Sequence, residues 1–168
     1  MPTGKTVGAT FKHLPLCTAS SEIRCVIAYS SFPSEPPAGA EFGRPGQGVS
    51  LQSGQTATAG VQVACVNPGA LGGGAAKLDP YFLTAGSSPP PPSVTTPWVT
   101  YPALYSATCK QGGGAGWLQI ATLTRARRPV VGESLGPAWG YHLDDINLAL
   151  GNLLGDVRAE EAAYAARR

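Results

Sequence analysis

The sequence predicts an α/β chain, loop-rich and built on a parallel sheet, and three observations carry that expectation. Three short apolar runs, residues 25–32, 61–66 and 117–123, have the β-branched composition of strands buried on both faces. After the last of them, Leu143, Ile146, Leu150, Leu153, Leu154 and Val157 recur at intervals of three and four, so they form one apolar helical stripe. The 22 Gly and 16 Pro predict many turns and long connections between these elements.

Residues 1–11 carry turn residues without a helix cap and lead into Leu14-Pro15-Leu16-Cys17. The 25–32 strand is stopped by Pro33-Ser34-Glu35-Pro36-Pro37, and residues 38–60, which show no periodicity, form a surface excursion. The next strand, 61–66, stops at Asn67-Pro68-Gly69. The glycines over 69–74 lack the Lys-Ser/Thr of a phosphate loop and read as a turn. Residues 84–97, with four consecutive prolines, suit a stiff polyproline surface linker within a single domain spanning 1–168. Trp98 to Tyr101 reads as a short edge strand, since Pro97 and Pro102 remove ladder donors on either side. In the helix, Asp144 and Asp145 occupy the first turn, where negative charge complements the helix dipole. One terminal helix is little cover for a parallel sheet, so the chain is expected to be a truncated domain of poor stability.

Composition narrows the function. With 43% apolar and 13% charged residues the chain is a folding one, and its net charge of +2 is too small for a nucleic-acid surface. No apolar run approaches the ~20 residues of a membrane span, and no signal peptide is visible at the N-terminus. Cys17, Cys25, Cys65 and Cys109 lack CxxC spacing and have two histidines to join them, which does not make a zinc site. Cys17 and Cys25 flank a short polar loop, while Cys65 and Cys109 bracket the proline segment, so those are the expected disulfides. Their loops imply stabilisation of roughly 2.5 and roughly 4 kcal/mol. Disulfides in turn imply an extracytoplasmic compartment, periplasmic or secreted. No cofactor or metal is expected.

The candidate catalytic residue is His142, after the 117–123 strand and on the turn feeding the helix. That is where a doubly wound enzyme places a base at the carboxyl edge of its sheet. The acid that would orient it stays open at this point: Asp145, three residues on, reads at least as well as a helix cap, Glu35 and Asp79 are alternatives, and Asn67 holds a strand end without a charge. Gly132-Glu133-Ser134-Leu135-Gly136 matches a nucleophile elbow by spelling only, because Pro137 and Gly140 stand where its helix should run. His13, between Phe11 and Leu14, reads as structural.

Residues 7–17, 25–32, Ala64-Cys65-Val66-Asn67-Pro68, and Trp139-Gly140-Tyr141-His142 through Leu153 together resemble the carboxyl-terminal half of a bacterial family of unknown function, grouped with the α/β-hydrolases as a lysophospholipase-like branch. The resemblance covers nearly the whole chain. It implies a partial α/β-hydrolase sheet, its last strands and final helix, in which His142 serves a serine borne on a Gly-His-Ser-Gln-Gly type elbow ahead of residue 1. The implied substrate is a small-molecule or lipid ester. A different class of reading is a noncatalytic, disulfide-stabilised binding or structural module, favoured by the lack of an acceptable nucleophile; oligomeric state is not legible.

Overall fold

A computed structural model describes residues 6–7, 11–45, 62–83, 96–102, 104–123 and 135–167. Within them the chain runs β1 (Thr6–Val7), β2 (Phe11–Pro15), β3 (Ser31–Phe32), β4 (Ala75–Leu78), β5 (Tyr81–Leu83), β6 (Trp98–Thr100), β7 (Tyr105–Gly112), β8 (Ala115–Thr122), a 3-10 turn (His142–Asp144) and α1 (Asp145–Ala165). Mixed α/β content is therefore present, with one carboxyl-terminal helix.

The central sheet is mixed, in the order β3-β8-β7-β4. β3 runs parallel to β8, while β7 pairs antiparallel with both β8 and β4. The expectation of a parallel sheet is corrected by one hairpin. Gly113 and Gly114, at φ 51° and 80°, supply the two positive-φ residues that a type I′ connection needs, and the eight-residue strands β7 and β8 then zip in continuous register from Gly112–Ala115 to Tyr105–Thr122. β1–β2 and β5–β6 are separate antiparallel pairs. β6 confirms the short strand at Trp98, and β8 coincides with the third apolar run.

The other two runs lie largely outside regular strands, although Val26 forms a parallel bridge with Leu16. Of residues 25–32 only Ser31–Phe32 forms a strand. Residues 62–66 form none, although the Val66 N–H donates to Ala28 O at 2.8 Å and so holds the two segments side by side. Residues 46–61, most of the surface excursion, and 84–95, most of the proline segment, lie outside the described residues.

Both expected disulfides are present, Cys17–Cys25 and Cys65–Cys109. The core lies between sheet and helix: Leu78, Tyr105, Ala107, Leu118, Ile120, Tyr141, Leu148 and Ala149 form one buried cluster. Phe32, Ala40, Ala115 and Trp117 form a second.

The helix divides the apolar stripe, with Leu153 packed against the core cluster and Leu150 half-buried. Leu148 and Ala149, 1% and 0% exposed, face the sheet, whereas Leu143, Ile146 and Val157 are 56%, 63% and 61% exposed. Small and polar residues at the contact explain the division. Gly151 lies so close to Asp79 that a Cβ there would stand 2.6 Å from Asp79 Cβ, and its N–H donates to Asp79 O at 3.0 Å. Asn152 Oδ1 accepts the Asp79 N–H at 2.9 Å, and Asn147 Nδ2 donates to Tyr81 O at 3.0 Å. The face that docks is thus chosen by backbone approach and hydrogen bonds rather than by bulk hydrophobicity.

Candidate active site

Gly140 sets the geometry of the turn that presents His142. It adopts φ 60°, and a Cβ there would run into Ser31 O and the Phe32 ring. With no side chain in the way, the turn lies against β3, and the Tyr141 N–H donates to Ser31 O at 2.8 Å. One residue later comes His142, whose ring contacts Asp145, Phe42 and Trp139.

Asp145 bridges strand and histidine. Its Oδ1 accepts the Ser31 N–H at 2.8 Å, and its Oδ2 lies 3.1 Å from His142 Nδ1. The Asp145 carboxylate is thus engaged by Ser31 and His142, and no side-chain hydrogen bond caps the start of α1. The side chains are 40% exposed for His142 and 13% for Asp145. Burial raises the Asp145 pKa above the ordinary carboxylate range, partly offset by the contacts from Ser31 and His142. Tyr29 closes the inner side, its hydroxyl donating to Asp145 O at 3.0 Å; burial, followed by the nearby Asp145 charge, pushes its phenol well above the usual range.

Two aromatic rings hold the imidazole on its outer side. Phe42 stacks on His142 with ring centroids 3.6 Å apart at 21°, and Trp139 meets Phe42 edge-on at 5.4 Å. The loop bearing Phe42 is fixed by Arg44, which donates to Pro36 O, Pro37 O and Gly113 O and pairs with Glu35 at 3.1 Å. The Glu41 N–H donates to Ala138 O at 2.9 Å, joining that loop to the histidine turn.

An Nδ1–H donated to Asp145 leaves Nε2 with a lone pair, the state required of a general base. Among the described residues Nε2 makes no hydrogen bond.

The structure brings together His142 and Asp145 and leaves the other candidates apart. Glu35 is spent on Arg44. Asp79 sits against Gly151 and Asn152, in the middle of α1 rather than at its start. Asn67 is buried in a turn, donating to Ala107 O at 2.8 Å and Gly74 O at 3.0 Å while accepting the Gly69 N–H. His13 lies in β2 and is exposed. Ser134 lies outside the described residues. Phe42, Ser31, Tyr29 and Arg44 were not anticipated. Phe42 and Arg44 stand in an aperiodic glycine-rich loop, and their one signal is an aromatic and a cation in a segment that otherwise lacks both.

No family model, curated protein or solved structure matches the chain. Among the described residues, no helix is long and apolar enough to cross a membrane.

Proposed function

We propose that this chain is the histidine-bearing part of a serine ester hydrolase of the α/β-hydrolase type, lysophospholipase-like and extracytoplasmic. The observation that carries the reading is the oriented pair: His142 Nδ1 is held 3.1 Å from Asp145 Oδ2, and Asp145 is itself anchored to the Ser31 N–H at 2.8 Å. In this mechanism Nε2 removes the proton from a serine hydroxyl as the oxygen attacks the ester carbonyl. The resulting imidazolium, stabilised by the Asp145 carboxylate, returns the proton to the departing alcohol. Water then repeats the cycle on the acyl-enzyme. The serine comes from a segment other than the described residues, and two disulfides suit an oxidising compartment.

The experiment is labelling of the natural full-length protein by a serine-directed fluorophosphonate, together with hydrolysis of lysophosphatidylcholine and short p-nitrophenyl esters. Labelling and turnover that both collapse in His142→Ala support the reading. A natural protein that neither labels nor turns over any ester supports a noncatalytic binding module instead.

A further inference from the structure

Ser31 brings two donors to one carboxylate and uses one of them. Its N–H holds Asp145 Oδ1 at 2.8 Å, whereas its hydroxyl, on a residue 1% exposed, has no hydrogen-bond partner among the described residues. A buried hydroxyl without a partner forgoes the hydrogen bonds that water gave it, so an acceptor within reach of a bond rotation is favoured. The N–H fixes where such an acceptor lies. Thr18 displays the complete arrangement elsewhere in the chain, its N–H and its Oγ1 both donating to Glu22 Oε2 at 2.7 and 2.8 Å. The Ser31 side chain also acts on Asp145 already, lowering its pKa together with the N–H against the burial that raises it.

The site depends on a charged Asp145. With the side chain 13% exposed, burial favours the neutral acid. A protonated Asp145 would donate from Oδ2 to His142 Nδ1, 3.1 Å away, and move the imidazole proton to Nε2, so that no lone pair remains there for a general base. Two titratable groups face Asp145, His142 from the turn before α1 and Tyr29 from the chain entering β3. Tyr29 directs its hydroxyl to the Asp145 main-chain oxygen rather than to the carboxylate. We infer that the Ser31 hydroxyl is the second donor of the Asp145 carboxylate, reached by rotation about Cα–Cβ and Cβ–Oγ, and that Ser31 is a positioning residue: it holds Asp145 in the charged form and thereby keeps the His142 proton on Nδ1. The consequence for rate rests on the hydrolase reading. The proton affinity of Asp145 does not, and it is measured without a substrate.

Carbon-13 NMR titration of the Asp145 carboxyl in the 168-residue chain and in its Ser31→Ala and Ser31→Thr variants tests the inference. The expected result is a proton affinity about tenfold higher in Ser31→Ala, the size of a lost hydrogen bond to a charged group. Nitrogen NMR should then show an Nε2–H form of His142 at a pH where the wild type holds Nδ1–H. Ser31→Thr, which keeps the hydroxyl, should titrate as the wild type does. Far-UV circular dichroism checks the fold of both variants; Ser31→Ala keeps the N–H and removes only the hydroxyl oxygen, so it decides the matter by itself where the threonine methyl prevents folding. An unchanged titration in Ser31→Ala, with a raised thermal midpoint, overturns the inference, because alanine then merely relieves an unpaired hydroxyl. A folded Ser31→Thr that titrates like Ser31→Ala overturns it too. The expected shift in a natural full-length protein that turns over no ester supports the role of Ser31 and sinks the hydrolase reading alone.

Discussion

His142 and Asp145 are three residues apart and lie 3.1 Å apart between Nδ1 and Oδ2, across the junction of a 3-10 turn and α1. The sequence interval alone does not make this contact. Asp145 faces the histidine because Ser31 N–H holds its other oxygen, and the turn lies against β3 because residue 140 is glycine. The relation therefore tests well by isosteric change. Asp145→Asn keeps an oxygen for the Ser31 N–H but removes the charge that fixes the tautomer. Stability should change by no more than about 1 kcal/mol, while ester turnover in the natural protein should fall by about 10⁴. Nitrogen NMR of His142 should show the loss of a single Nδ1–H form.

Phe42 should act on orientation. In Phe42→Leu the ring stack at 3.6 Å is lost, and the fold should lose about 0.5–1.5 kcal/mol beyond the area term. The ring-current shifts of the His142 carbon-bound protons should shrink in the NMR spectrum to what Trp139, with its centroid 6.1 Å away, supplies. Unchanged shifts would mean that the two rings do not stack in solution.

Asp156 should destabilise the protein at neutral pH. It is 8% exposed, its Oδ2 has no hydrogen-bond partner, and burial, then the Glu160 charge, raises its pKa. A carboxyl whose folded pKa exceeds the unfolded one favours the fold below the unfolded pKa, and that contribution is lost as pH rises through the folded pKa. Asp156→Asn should therefore raise the thermal midpoint at pH 7 and flatten its fall between acid and neutral pH. Equal midpoints for both proteins across that range would contradict this.

The two disulfides should contribute unequally. The links span sequence separations of 8 and 44 residues, so loss of Cys65–Cys109 should cost roughly 4 kcal/mol and loss of Cys17–Cys25 roughly 2.5. Urea unfolding of the two paired Cys→Ala variants gives the comparison directly, and alkylation without reductant should find no free thiol.

The disulfides and the Trp117 strand were legible from positions along the chain, and so was the three-residue interval between His142 and Asp145, although the contact itself rests on Ser31 and Gly140. What was hidden depends on contacts across the chain. β7 could not be read from Tyr105 to Gly112, since Ser106, Thr108, Lys110 and Gln111 give it strand shape only once β8 folds back through the two glycines. The apolar stripe of α1 does not form one docking face: Leu153 packs on the core while Leu143, Ile146, Leu154 and Val157 are exposed. Gly151 and Asn152 decide which face docks through contacts with Asp79, and such contacts carry no periodic signal. Phe42 reached the site by way of Arg44, whose hydrogen bonds to Gly113 O and Pro36 O join segments far apart in sequence.

The most direct measurement of the proposed role is ester hydrolysis by the natural full-length protein and its His142→Ala variant, with folding followed in parallel by thermal unfolding. Nε2 as the general base predicts a loss of several orders of magnitude in kcat/KM, with the unfolding transition kept and His13→Ala close to wild type in rate. Full activity in His142→Ala would contradict the account, leaving His142 and Asp145 as a structural pair at the start of a helix.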